Sequence, residues 1–146
     1  MLAVRNLSKT YPTPQGALIV LDGVSLDVAA GESVALMGES GSGKSTLLHL
    51  VAGLDEADGG EIRIGNAEVT ALDDRGRARL RRETVGVVFQ SLNLAASLSV
   101  GDNLAFQARL AGREDPDWTA RLAERLGVAD LLDRWPEQLS GGQQQR

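Results

Sequence analysis

Eight consecutive residues, Gly38-Glu39-Ser40-Gly41-Ser42-Gly43-Lys44-Ser45, fill the pattern G-x-x-x-x-G-K-[ST] at every fixed position. The residue types specify a chemistry. Glycines let the backbone curl so that successive N–H groups point inward at phosphate oxygens. Lys44 stands where a helix would open, so the helix's positive end and the ammonium face the same anion. At this spacing the ammonium would reach the β- and γ-phosphates of a nucleoside triphosphate, and the Ser45 hydroxyl would ligate Mg²⁺. A Gly/Ser-rich turn that meets the pattern by accident is the competing reading. The flanks argue against it, because a compact apolar run at Glu32–Met37 precedes the loop and a helical run at Lys44–Ala52 follows.

Two further motifs narrow the chemistry. Gln90 ends the β-branched run Val85–Phe89, where a strand terminus can hold a polar amide near bound phosphate. Leu139-Ser140-Gly141-Gly142-Gln143 stands near the C-terminus. Its Ser-x-x-Gln spacing is also that of a capping box, with Ser140 as N-cap and Gln143 at the third helical position. The paired glycines Gly141 and Gly142 weaken a helix, which a plain cap does not require. They make sense where the backbone must approach a ligand closely.

With these three motifs in this order, the sequence resembles the nucleotide-binding domain of ATP-binding-cassette (ABC) transporters, and the resemblance covers essentially all 146 residues. It implies an α/β fold: an incomplete P-loop NTPase core, an antiparallel β element and a helical subdomain. Residues 1–90 would form the core and the β element, 91–139 the helical subdomain, and 140–146 the start of the signature helix. It implies ATP and Mg²⁺ as cofactors. Gly38, Ser40, Gly41, Ser42, Gly43, Lys44, Ser45 and Thr46 would cradle the phosphates. Gln90 matches the Q-loop glutamine, placed near Mg²⁺ and the attacking water, so Lys44 and Gln90 are the catalytic candidates and Ser45 and Gln90 the metal candidates. Ser140, Gly141, Gly142 and Gln143 match the signature LSGGQ, which meets the γ-phosphate of ATP held by a partner subunit. Tyr11, the only tyrosine, lies just after the first readable strand and matches the aromatic that stacks on adenine. A strand-end surface tyrosine is the plainer alternative.

Other residues are decoys. Leu50-Val51-Ala52-Gly53-Leu54-Asp55-Glu56 imitates an apolar strand ending in two acids. Leu47, Leu48 and Val51 instead read as one helix face, with Gly53 its C-terminal stop and the acids in the following loop. His49 reads as a packed or surface histidine. Arg75, Arg77, Arg79, Arg81 and Arg82 interleave with Asp73, Asp74 and Glu83, the pattern of a solvated helix face. Trp118 and Trp135 read as packing residues.

The elements that must position these groups are short. Strands are expected at Leu2–Asn6, Val24–Val28, Glu32–Met37, Glu61–Ile64 and Val85–Phe89, the last covered on both faces. Helices are expected at Lys44–Ala52, Asp73–Arg82, Val100–Leu110 and Trp118–Leu126, and Ser91–Trp135 has almost no strand signal. The chain has no cysteine and one histidine, which excludes a disulfide scaffold and cysteine-ligated metals. A net charge of -5 argues against nucleic acid as a partner. No apolar run approaches the ~18 residues of a spanning helix, and no signal peptide is readable, so a cytoplasmic location is expected.

The resemblance also implies partners: a second nucleotide-binding subunit in a head-to-tail dimer, and transmembrane permease subunits that would hold the chain at the inner face of the cell membrane. Tyr11–Leu21, Gly65–Arg82 and Ala95–Arg113 look most like lipoprotein-releasing and macrolide-export ATPases. The family's Walker B carboxylates, D-loop and switch histidine follow the signature and have no match here. The expectation is therefore an N-terminal fragment of an ATPase, inactive by itself. A cassette ATPase of DNA repair or translation is the alternative class, but the insertions or tandem cassettes common there are not seen.

Overall fold

The computed structural model describes residues 1–146. Contacts divide the chain into two compact units, Met1–Val85 and Gly86–Arg146.

The first unit is built on a four-stranded antiparallel sheet in the order β2-β1-β3-β4. Strands β1 (Leu2–Thr13) and β2 (Gly16–Val28) form a long hairpin closed at the pair Thr13↔Gly16. The Thr13 hydroxyl donates to the Gly16 carbonyl at 2.7 Å across that turn. Strand β3 (Gly59–Ile64) pairs with the other edge of β1, and the two-residue β4 (Ala67–Glu68) pairs with β3. The expected strands at Leu2–Asn6, Val24–Val28 and Glu61–Ile64 are all present but longer. Asn6 explains the shortfall at β1. It takes φ 46, and the pairing register shifts between Val4 and Leu7, so the apolar alternation that marks a strand breaks there while the strand continues. Tyr11 accordingly lies inside β1 and not after the strand. Gly60 (φ +88) faces this irregularity, and a Cβ on it would sit 2.5 Å from the carbonyl oxygens of both Arg5 and Asn6.

Helix α1 (Lys44–Val51) packs Leu47 and Leu50 into a core with Val4 and Leu7 of β1, Leu21 of β2, Ile62 of β3 and Leu80 of the next helix. Each such fully buried side chain stabilises the unit by about 1.5–3 kcal/mol relative to exposure. The helix ends in a left-handed Gly53 (φ 63). The Leu54 N–H donates to the His49 carbonyl at 2.8 Å and the Gly53 N–H to the Leu50 carbonyl at 3.0 Å. Leu50–Glu56 is thus a helix end and a loop, as expected. Helix α2 (Asp74–Glu83) is capped by Asp73, whose carboxylate accepts from the Gly76 N–H at 2.8 Å. Three of its arginines pair with acids: Arg77 with Glu56 and Asp74, Arg79 with Glu83 at 3.9 Å and Arg82 with Glu83 at 2.9 Å.

Two expected strands are not formed. Glu32–Met37 and Val85–Phe89 carry no ladder hydrogen bonds, and the sheet contains only antiparallel pairs. Both runs have strand composition, but neither has a neighbouring strand to accept its N–H groups. Glu32–Met37 is exposed throughout, while in Val85–Phe89 only Val85 and Val87 are half-buried, Val85 against the first core. Val34 is 57%, Met37 86% and Val88 100% exposed, the reverse of a strand covered on both faces.

The second unit is helical. Helix α3 (Val100–Leu110) begins at Ser99, whose hydroxyl accepts from the Asp102 N–H at 3.1 Å. Helix α4 (Pro116–Leu126) begins at Asp115, with Pro116 at its first position, and stops at the left-handed Gly127 (φ 65). The five-residue α5 (Gly141–Gln145) closes the chain. Val100, Ala123 and Val128 are buried among Leu104, Leu126, Leu131, Leu132 and Leu139. The Asn103 amide ties the preceding loop to α3, accepting from the Ala95 N–H at 2.8 Å and donating to the Leu98 carbonyl at 3.0 Å.

Candidate functional site

The phosphate-loop residues Gly38–Ser42 form an exposed loop that leads into α1. Gly43, the N-cap of α1, is left-handed (φ 84), and a Cβ there would lie 2.8 Å from the Val20 carbonyl oxygen and 2.9 Å from Leu21 Cδ2. Only glycine satisfies both the dihedral and the contact, which seats the loop's end against β2. No side chain caps α1 and no acidic residue occupies its first turn. The N–H groups of Lys44, Ser45 and Thr46 therefore meet an uncompensated positive helix end. Lys44 Nζ donates to the Gly38 carbonyl at 2.9 Å and Ser42 Oγ at 3.2 Å, and also to the Glu39 carbonyl. The ammonium thus lies over the loop with three neutral acceptors and no carboxylate partner. Ser45 is exposed on the first turn and Thr46 half-buried. An anion at this helix start meets the unpaired N–H groups of the first turn and the Lys44 ammonium.

Tyr11 belongs to the same unit. Its phenol donates to Asp55 Oδ2 at 2.6 Å, and the Lys9 ammonium lies 5.0 Å from the ring centroid. Lys9 is buried, donating to Asp55 Oδ1 at 3.1 Å and to the Glu56 carbonyl. The bond to Asp55 pushes the Tyr11 phenol above its usual value, and burial adds to this. That same bond holds the Asp55 carboxyl below the usual carboxylate range, with help from the Glu56 N–H and Lys9. The Thr46 hydroxyl also faces the phenol. The structure thus brings Tyr11 to the first turn of α1, close to the phosphate loop. Lys9 and Asp55 were not among the candidates read from sequence. Lys9 stands two residues before Tyr11 on one strand, which is the available signal; Asp55 is brought in only by the turn after α1. A cavity of about 330 Å³ behind this group is lined by Lys9, Asp55, Asp58, Arg77 and Arg81 among others. Lys9 pairs with Asp55 and Asp58, and Arg77 with Glu56 and Asp74, so opposite charges are largely matched there.

The remaining candidates belong to the second unit. Gln90 is exposed at a bend that follows an extended segment, and not at a strand end. The capping box at α5 is formed in both directions: Gln143 Oε1 accepts from the Ser140 N–H at 2.8 Å, and Ser140 Oγ from the Gln143 N–H at 3.4 Å. Gln144 Nε2 donates to the Pro136 carbonyl at 2.7 Å and holds the helix to the preceding segment. Gly141 and Gly142 are exposed, and a Cβ at either would meet nothing within 4 Å. Their lack of side chains leaves open space over the helix start, and no packing demand explains it. His49 is exposed on the last turn of α1.

Comparison with known proteins agrees with this arrangement. The family described as ABC transporter matches residues 21–146. The chain is 42% identical over 149 residues to the lipoprotein-releasing system ATP-binding protein LolD 1 of Rhodopirellula baltica, covering 100% of this chain and 65% of that protein. It is also 42% identical to the macrolide export ATP-binding/permease protein MacB of Escherichia coli, covering 100% of this chain and 23% of MacB. The ATP-binding cassette MJ0796, solved as a dimer in a post-hydrolysis state bound to ADP and Pi, superposes with a TM-score of 0.86 at 35% identity. That match covers 99% of this chain and 65% of the solved one. The chain therefore spans just under two thirds of LolD 1 and less than a quarter of MacB. With a full phosphate loop on an uncapped helix, an antiparallel sheet and a helical unit that carries LSGGQ, the chain belongs to the ABC transporter family, with the mixed α/β fold of its P-loop ATPase cassette.

Proposed function

We propose that this chain binds ATP with Mg²⁺ and is the nucleotide-binding part of a transporter ATPase. It would act in a head-to-tail dimer at the cytoplasmic face of a membrane, joined to permease subunits that export or extract a substrate. The carrying observation is the cradle at Gly38–Ser45, where an uncapped helix start with no acid in its first turn meets the Lys44 ammonium, which has no carboxylate partner. The residues fit a triphosphate for that reason. They fit Mg²⁺ through the exposed Ser45 hydroxyl. Gln90 is the second candidate ligand, and phosphate and water oxygens suit this hard, strongly hydrated cation. Bound there, Mg²⁺ would neutralise charge on the β- and γ-phosphates.

In this reading Gly38, Ser40, Gly41, Ser42, Gly43, Lys44, Ser45 and Thr46 hold the phosphates, and Tyr11 stacks on the adenine. Gln90 orients the attacking water and approaches the ion. Ser140, Gly141, Gly142 and Gln143 contact the γ-phosphate bound by the partner subunit. An amide can orient water but cannot take its proton, so these residues provide binding and alignment without a general base. No helix is long and apolar enough to cross a membrane. The LolD and MacB names support export or extraction as the coupled process. Calorimetric titration of Mg-ATP into the protein and its Lys44→Ala variant tests the reading. Binding in the parent and its loss in the variant are expected; equal affinity in both would overturn the assignment.

A further inference from the structure

Tyr11 is held on more sides than a stacking platform requires. Its phenol donates to Asp55 at 2.6 Å and faces the Thr46 hydroxyl, while the Lys9 ammonium lies 5.0 Å from the ring centroid. Asp55 also accepts from Lys9 at 3.1 Å, so one carboxylate binds both the cation and the ring. Thr46 lies in the first turn of α1, and Asp55 follows the turn at Gly53 that ends the helix. The phenol is thereby anchored to the loop that follows the helix Lys44 opens. A cation near an aromatic face is attracted to it, and a phenol that donates to a carboxylate gives the ring more electron density.

We propose that Asp55 and Lys9 are positioning residues for the nucleobase: they lock the Tyr11 ring, occupy one face, and offer the other to an electron-poor purine. The proposal rests on the reading of Tyr11 as the base-stacking residue. Its consequence is selective. The lock governs how tightly the base is held and leaves the phosphate cradle alone. Freeing the ring weakens binding of ATP and leaves binding of inorganic tripolyphosphate as it was.

The test compares Mg-ATP with Mg-tripolyphosphate on the full-length protein by calorimetry. Tyr11→Ala removes the platform and is expected to weaken ATP roughly tenfold or more, with tripolyphosphate unchanged. Tyr11→Phe keeps the ring and the Lys9–Asp55 pair but removes the anchor, and is expected to weaken ATP about three- to tenfold, again selectively. Asp55→Ala should match Tyr11→Phe, and combining the two should add nothing further. Asp55→Asn, which retains an acceptor oxygen, should recover part of the loss. Removal of Asp55 leaves the buried Lys9 with Asp58, at 3.9 Å, as its one acidic partner and can destabilise the unit, so Tyr11→Phe is the deciding variant. If Tyr11→Ala does not lose ATP selectively, the stacking reading itself fails. If Tyr11→Ala loses ATP while Tyr11→Phe binds both ligands as the parent does, the platform stands and the positioning proposal fails. Parallel loss of both ligands in Tyr11→Phe marks a merely structural role and also overturns it.

Discussion

In Met1–Val85 the candidate site is anchored by tertiary packing, with Gly43 resting on Val20 and Leu21 and α1 buried through Leu47 and Leu50. In Gly86–Arg146 the candidates stand on an exposed bend at Gln90 and a five-residue helix held by reciprocal side-chain caps. The first core includes four side chains under 2% exposed, Leu7, Leu50, Ile62 and Val4; the second buries Val100, Ala123 and Val128. The helix that opens at the phosphate loop is therefore held by burial, while the LSGGQ segment is held by a few local hydrogen bonds. Few buried apolar contacts mean a lower free energy of local opening. The second unit is the one that can change shape without dismantling the first.

The largest test removes packing. Leu50→Ala should destabilise the first unit by about 2–5 kcal/mol and carry nucleotide binding down with it. Val128→Ala deletes fewer methyl groups and should cost the second unit less. Urea unfolding with amide exchange resolved by unit measures both, and equal losses would break the comparison. Next, Lys44→Ala should remove roughly 1.5–3 kcal/mol of Mg-ATP binding. Exchange rates in the helical unit of the free protein should stay as they were. Altered exchange there would show that Lys44 acts on more than its own loop. A smaller effect is expected at the signature: Ser140→Ala should cost about 1 kcal/mol of local stability, seen as faster exchange at Gln143 and Gln144. The first unit should not respond.

The smallest effect is a pH dependence. Asp55 is held below the usual carboxylate range by its bond to Tyr11, so the folded form resists protonation more than the unfolded chain. The stabilisation is complete above the unfolded value of about 4 and is lost as pH falls through the depressed folded value. Tyr11 runs the other way. Its raised phenol stabilises the fold below about pH 10, and this is lost as pH rises through the folded value. Acid and alkaline titrations followed by unfolding should show both limits in the parent, and Tyr11→Phe should blunt both.

Much of this was readable from residues alone. The phosphate loop, the capping box, the helix at Val100–Leu110 and the helix stop at Gly53 are all local patterns, and the structure places each where its spacing says. What failed was non-local. Glu32–Met37 and Val85–Phe89 have strand composition, but a strand exists only with a partner, and composition does not report one. β1 was cut short because the left-handed Asn6 breaks the alternation by which a strand is recognised. Asp55 was passed over as half of a decoy, since only the folded turn after α1 brings it to Tyr11.

The distribution of aromatic side chains across the two units has a spectroscopic consequence. Both tryptophans, Trp118 and Trp135, and both phenylalanines, Phe89 and Phe106, fall in Gly86–Arg146, while Tyr11 is the lone aromatic of Met1–Val85. Trp118 is 53% and Trp135 45% exposed, so both indoles emit from a partly wet environment. Excitation at the red edge of the absorption band therefore reports on the helical unit alone. Emission from Tyr11 is quenched by the carboxylate its phenol binds and should brighten when that bond opens. A single cuvette thus carries two colours, one for each unit, and nucleotide entry and helical rearrangement can be timed against each other without a label.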